Sequence, residues 1–328
     1  MGVQADLKLV EHDDDGVDLA FRADVLRGLS ESQKAIPARW FYDLKGSELF
    51  EAITQLPEYY PTRAETSLLK AHGRDIAQAI GPNRAVVEFG SGSSVKTPLL
   101  LQQVNAAAYL PLDISGEFLR QSSRELATKF PELPIIPIEA NFMQAVELPA
   151  SVRHLDMVGF FPGSTIGNMV PHTAIDLLRS MRDTLGPRSQ LLIGVDRVKD
   201  VQRLVAAYDD AQGVTAQFNL NLIDRINAEL GGTMPRDRFR HVARWNEDWS
   251  RIEMHLEALD DMDFEVAGQA MMMQRGETIH TENSHKYTLN QARLLLQAGG
   301  WTPIDHWMDE AEDFMVLLAD YSEFRSAP

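Results

Sequence analysis

From Arg63 onward the chain alternates short apolar, often β-branched runs with helical patterns, and this alternation restricts its fold more than any other feature. The runs are Ala85–Phe89, Ala108–Leu112, Ile135–Ile138, Met157–Phe161 and Leu191–Val195, and helical spacing fills Thr97–Val104, Glu117–Lys129 and Thr173–Leu185. Strands separated by helices of about 10–15 residues predict a parallel, doubly wound α/β sheet. The alternation stops near Arg197. Two helical segments follow, VQRLVAAY and FNLNLIDRINAEL, the second ended by Gly231–Gly232. A less regular stretch comes next, with β-like IEMHLEAL and EVAGQAMMM. The core pattern resumes at Thr288, where TLNQ has capping-box spacing ahead of a helix over Leu289–Gln297, ended by Gly299–Gly300. Thr302–Trp307 and Phe314–Leu318 then read as strands whose connection is too short for a crossover helix, so they pair antiparallel.

Composition narrows the function. Of 328 residues 44% are hydrophobic, enough for a substantial core, and the net charge of −17 argues against nucleic-acid binding, which needs clustered Lys and Arg. Without cysteine there is no disulfide, thiolate catalysis or Cys-based zinc site. The nine histidines scatter without HExxH or other metal spacing, so no metal is expected. The polar N-terminus lacks a signal-peptide pattern and no apolar run spans a bilayer, so the expectation is a soluble cytoplasmic protein with no membrane partner. The acidic opening to about Ser30 reads as a loose arm.

Strand Ala85–Phe89 leads directly into Gly90-Ser91-Gly92-Ser93-Ser94, and Asp113 ends the following strand. Two glycines permit a tight turn and a close approach by a ligand, and a strand-end carboxylate can accept bonds from ribose hydroxyls. A P-loop needs glycine just before Lys96-Thr97, and a dinucleotide site needs a third glycine for helix packing. Val95 stands at that position in both comparisons. A methyltransferase loop needs the first two glycines and a preceding acidic residue, here Glu88. A plain tight turn with no ligand is the remaining alternative. Five parallel strands, a helix and a closing hairpin match the Rossmann-like class I methyltransferase arrangement. On that reading residues 61–196 and 287–328 form the cofactor-binding core, and residues 1–60 and 197–286 form an inserted substrate-binding lobe.

Several segments outside the loop carry a closer likeness. WFYDLKGSELFEAITQLPEYYPTRAE (Trp40–Glu65), VEFGSGSSVKT, YLPLDIS, FFPGSTIGN and TENSHKY together resemble the L-histidine Nα-methyltransferases of ergothioneine biosynthesis, over nearly the whole chain from Trp40. The resemblance implies S-adenosylmethionine as methyl donor and L-histidine as substrate, methylated three times to the betaine hercynine; a monomer is expected. It implies cofactor binding by Gly90, Gly92, Lys96 and Asp113, with Asn141 and Phe142 beside the adenine. Asn168 and Tyr208 would hold the amino-acid end as the catalytic pair, with Tyr59 and the Gly163 backbone against it. Tyr42, Glu282 and Ser284 would face the imidazole. The chain departs from the family at Asn141, where an aspartate is usual, and at Asn283 and His285 beside Ser284. Two rival readings stand: a relative acting on another aromatic amino acid, as the fungal dimethylallyltryptophan N-methyltransferases do, and a non-catalytic nucleotide-binding module. Taken singly, Tyr42, Tyr59 and Tyr208 would read as core aromatics and Glu282 as a solvated surface charge.

Overall fold

The computed structural model describes residues 18–92 and 96–321. In chain order the helices are α1 (Leu19–Ser30), α2 (Leu44–Thr54), α3 (Tyr60–Ile80), α4 (Thr97–Leu101), α5 (Gly116–Lys129), α6 (Pro171–Leu185), α7 (Val201–Ala206), α8 (Val214–Leu230) and α9 (Leu289–Ala298). The strands are β1 (Ala85–Phe89), β2 (Ala108–Asp113), β3 (Ile138–Glu139), β4 (Met157–Phe161), β5 (Gln190–Asp196), β6 (Phe239–Asn246), β7 (Arg251–Ala258), β8 (Met262–Val266), β9 (Gln269–Met273), β10 (Thr278–His285), β11 (Trp301–Met308) and β12 (Phe314–Tyr321). Two compact units result: Met1–Tyr60 with Asp200–Ser284, and Pro61–Lys199 with His285–Pro328. They are called here the composite unit and the sheet unit.

The sheet unit holds seven strands in the order β11-β12-β5-β4-β1-β2-β3. β3, β2, β1, β4 and β5 run parallel, and β12 is antiparallel to β5 and β11. This is the class I methyltransferase topology. Alternate strand residues point to opposite faces, so Val87, Phe89, Leu110 and Leu112 pack with Leu177, Leu178 and Met181 of α6 and Leu296 of α9. Val86, Tyr109, Val158 and Phe160 pack on the other side with Leu68, Leu69 and Ile76 of α3. Both faces are covered, which explains the unbroken apolar runs; each fully buried Leu or Val contributes roughly 1.5–3 kcal/mol. Thr288 and Gln291 form the expected capping box of α9. The run near Ile135 shortens to the two residues of β3, with Ile135 joined to Tyr109 only by an isolated bridge. Prolines account for the shortening: Pro134 precedes Ile135 and Pro137 precedes Ile138, and neither has an amide hydrogen to give to the ladder.

In the composite unit, the loose arm expected up to Ser30 is corrected from Asp18 onward. Residues 19–30 form α1, whose Phe21, Val25 and Leu29 fall four apart on one buried face. Asp18 caps it by accepting from the amides of Ala20 and Phe21. Residues 1–17 lie outside the described residues. Arg225 of α8 anchors the segment that follows, with its guanidinium 4.6 Å from the Phe21 ring centroid and 5.5 Å from that of Trp40, and a bond to the Trp40 carbonyl. β10, β7 and β6 form a three-stranded sheet, and β8 and β9 form a hairpin. Sequence patterning indicated β7 and the hairpin; β6 and β10 carry too many polar residues to show alternation. Among the described residues no helix is long and apolar enough to cross a membrane.

Candidate active site

In the sheet unit the residues expected to hold the cofactor follow the carboxyl ends of β1, β2 and β3, where open α/β sheets bind ligands. Gly90 has φ 73°, and a Cβ there would come within 3.4 Å of the Phe142 ring, so the loop backbone and that ring are in close apposition. Phe142 is edge-on to Phe89 and Phe161. Asn141 spends its side-chain oxygen on the Met143 amide, a local turn. Asp113 accepts from the amides of Gly92 at 3.2 Å and Ser115 at 2.9 Å, which fixes the carboxylate while leaving it lone pairs for a diol. Residues 93–95, including Val95, lie outside the described residues. Beneath the loop, Glu88 is fully buried and accepts from the hydroxyls of Thr97, at 2.7 Å, and Tyr109.

Lys96 is paired at 2.5 Å with Glu65, a residue of α3 that is 0% exposed. The same carboxylate accepts from the Gly163 amide at 2.9 and 3.1 Å. It packs so tightly against β5 that a Cβ at position 194 would lie 2.1 Å from it, which accounts for Gly194. Gly163 and Ser164 both adopt left-handed backbone, and the Ser164 hydroxyl accepts from the Asp196 amide. This turn carries Asn168 on a short 3₁₀ segment (Thr165–Asn168), and its Gly167 carbonyl lies 2.9 Å from His285 Nδ1. Asp196 is buried with Lys199 at 2.5 Å and Lys286 at 2.7 Å. The two ammonium groups overcome burial and hold the Asp196 carboxyl low, whereas burial pulls Lys199 down to about 8.

The composite unit gathers residues expected to face the substrate. Tyr42, Phe50, Tyr59 and Tyr208 form a chain of edge-on rings with centroids 5.7, 6.3 and 6.1 Å apart, and Phe218 closes on Tyr42 and Phe50. Tyr208, 7% exposed, shares a 2.7 Å hydrogen bond with Ser284 Oγ. Tyr42 is 42% exposed overall, yet the protein packed around its hydroxyl, and then the charge of Glu282 and the neighbouring Tyr208, push that hydroxyl above the usual tyrosine range. Glu282 is therefore half-buried within electrostatic reach of Tyr42, not a solvated surface charge. The lobe thus brings together Tyr42, Tyr59, Tyr208, Glu282 and Ser284, the five residues that the likeness named there. Phe50 and Phe218 went unnamed because apolar rings in helical sequence read as core. Glu65 went unnamed because nothing in sequence marks a helical glutamate as buried.

The histidines are less scattered than their spacing implies. His255 and His280 stack at 4.6 Å, and their ligand atoms lie with those of Glu253 within 4.8 Å of one another. However, Glu253 already takes Arg251 at 2.6 Å, Asn246 at 2.8 Å, and Arg244 and His255 at 3.1 Å. A divalent cation would sit against two guanidinium groups, so the cluster reads as a structural ion-pair network.

Comparison with known proteins identifies the family. Residues 21–321 match the model of a family described as histidine-specific methyltransferase, SAM-dependent. The chain is similar to histidine N-alpha-methyltransferases of Mycolicibacterium smegmatis, at 39% identity over 92% of this chain and 94% of that one. It is equally similar to that of Mycobacterium tuberculosis, at 39% identity over 93% and 96%. Ergothioneine biosynthesis protein 1 of Neurospora crassa is 27% identical over 88% of this chain, which corresponds to 33% of that longer protein. With nearly its whole length matched, the chain belongs to the S-adenosylmethionine-dependent, histidine-specific methyltransferases.

Proposed function

We propose that this enzyme methylates the α-amino nitrogen of L-histidine three times, giving hercynine for ergothioneine biosynthesis, and that it acts as a monomer in the cytoplasm without metal, nucleic acid or membrane. The observation that carries the reading is the cluster of Tyr42, Tyr208, Glu282 and Ser284 in one unit. A carboxylate beside hydroxyls suits an imidazole N–H and would be costly against an apolar ring, which disfavours another aromatic amino acid as substrate.

Gly90, Gly92, Lys96 and Asp113 would hold S-adenosylmethionine, with Phe142 and Asn141 beside the adenine. The close approach of Gly90 to Phe142 and the amide-fixed Asp113 carboxylate fit that role. When bound, the cofactor supplies a methyl group on sulfonium sulfur. An N–C bond forms as the C–S bond breaks, and S-adenosylhomocysteine leaves. The protein's part is positioning, which can supply several kcal/mol of barrier lowering. Glu282, Ser284 and Tyr42 would fix the imidazole, and Asn168, Tyr208, Tyr59 and the Gly163 backbone would fix the amino-acid end. The α-ammonium of the free amino acid, and the ammonium formed in each of the first two rounds, gives a proton to solvent before the next transfer; the third leaves a quaternary nitrogen with none to give. Aromatic faces such as Tyr59 and Tyr42 tolerate that growing cation. Incubation with S-adenosylmethionine and an amino-acid panel, read by mass spectrometry, tests the proposal. A histidine product three methyls heavier, substituted on the α-nitrogen, is expected. A ring-methylated or singly methylated end product would overturn it.

A further inference from the structure

Beside Tyr208 lies a half-buried relay with a fixed direction. The main-chain carbonyl of Tyr208 is 2.8 Å from Nε2 of His241, on β6. The other ring nitrogen, Nδ1, is 2.8 Å from the side-chain nitrogen of Asn219, on α8. Asn219 is 0% exposed and its amide orientation is set by the His255 carbonyl. Its nitrogen donates to the His255 carbonyl at 3.0 Å, and its oxygen accepts from the Thr281 hydroxyl at 2.8 Å. A carbonyl only accepts and an amide nitrogen only donates. His241 must therefore carry its hydrogen on Nε2 and present a bare Nδ1. A second proton, on Nδ1, would face the Asn219 hydrogens. Turning Asn219 to receive it would set the amide oxygen against the His255 carbonyl.

We propose that His241 is a positioning residue for Tyr208, and that it holds Tyr208 for substrate only while the imidazole is neutral. This rests on Tyr208 contacting the amino acid, as read above. The charged groups that face the ring are Asp209 and Asp210, in the segment after α7; they favour its protonation, as does the Tyr208 carbonyl. Asp210 is itself occupied by the amides of Val214 and Thr215 at the start of α8. α8 presents the uncharged Asn219, and β7 places Leu256 opposite His241 in the ladder. Burial outweighs the carboxylates and moves the imidazole below its usual range. Neutral at pH 7, the ring charges only on acidification. Substrate affinity should then fall on the acid side while cofactor affinity does not.

The test compares wild type, H241Q, H241F and Y208F by calorimetry of L-histidine with S-adenosylhomocysteine present, from pH 5 to pH 8, alongside cofactor affinity and melting temperature. At neutral pH H241F should lose roughly tenfold in histidine affinity, about the worth of one hydrogen bond, with cofactor affinity within about twofold. H241Q, whose amide can donate to the Tyr208 carbonyl but cannot titrate, should recover most of that loss. It should also show a shallower acid-side decline than wild type; the titration of the substrate's own imidazole is common to both. Wild-type histidine affinity in H241F, an acid decline in H241Q equal to that of wild type, or a parallel loss of cofactor affinity and melting temperature in H241F would each overturn the proposal. Unchanged histidine affinity in Y208F would instead overturn the assignment of Tyr208 itself.

Discussion

Replacing Glu65 with Gln tests whether one buried carboxylate sustains the proposed cofactor lysine. Gln is nearly isosteric and can still accept from the Gly163 amide, so the substitution removes the charge and little else. The Lys96 ammonium, 2.5 Å from that carboxylate, would face an amide instead. Breaking a buried pair costs about 3–5 kcal/mol, but the Lys96 side chain is 15% exposed and can turn part-way to water. A loss of about 2–3 kcal/mol is therefore expected, equivalent to roughly 3–4 °C in melting temperature for a chain of this size. Removing both charges together gives the sharper result. In E65L/K96M no buried charge is stranded, so much of the stability should return, as it does when apolar pairs replace buried ion pairs. Cofactor affinity should stay low, because the ammonium is gone. Differential scanning calorimetry and cofactor titration on the wild type, the E65L and K96M single variants and the double variant form a closed cycle, with E65Q measured beside it. A melting temperature for E65Q within about 1 °C of wild type, or a double variant less stable than either single one, would refute the reasoning.

Four further outcomes are expected. Asp113→Ala should weaken S-adenosylmethionine binding by roughly 1–3 kcal/mol through lost charge-assisted bonds; unchanged calorimetric affinity would remove the ribose role. Asn168→Ala should cut turnover far more than cofactor affinity, because misplacement spoils in-line geometry; equal losses in both would mark a structural turn. Glu282→Leu should raise the histidine KM at least about tenfold, or ~1.4 kcal/mol, and narrow the gap between histidine and phenylalanine; wild-type discrimination in that variant would leave Glu282 without a selective role. Stability should fall on acidification in two stages. His255, held down to about 4, contributes stability above its usual pH 6.5 that is lost as pH falls toward 4. Glu253, held down to about 2, contributes stability above 4.5 that is lost as pH falls toward 2. Urea midpoints measured across pH 3–7 check this, and a flat profile would contradict it.

The sheet unit was legible because strands buried on both faces write themselves as apolar runs, and Val86, Val87, Leu110 and Leu192 needed no context to be read. α1 was legible in principle: Phe21, Val25 and Leu29 hold helical spacing, but the acidic residues around them masked it. β10 was not legible. Its buried positions include Thr281, Ser284 and His285, and a strand that buries polar groups shows no hydrophobic alternation. β6, with Arg240, His241 and Arg244, was hidden for the same reason. The site followed the same division. The glycine loop and Asp113 declared themselves by spacing. The tyrosines and Glu282 emerged only through family likeness, and Glu65, Asn219 and His241 only through their partners in space.

The composite unit joins chain segments made far apart in time. Ala35 bridges His280, and the Ile36 amide reaches the His280 carbonyl, across more than two hundred intervening positions. The sheet unit is no more self-sufficient, since β5 waits for β12 to cover its open edge. During synthesis neither unit can therefore close while the nascent chain is short, and α1, with its apolar face, must be carried unpaired until α8 and β10 emerge. Truncation from the carboxyl end should consequently yield aggregation rather than a smaller folded protein. In a circular permutant that begins at Asp200, residues 285–328 and a linker would separate the two pieces of the composite unit in place of residues 61–199, and this shorter exposed interval should make it refold faster than the natural order.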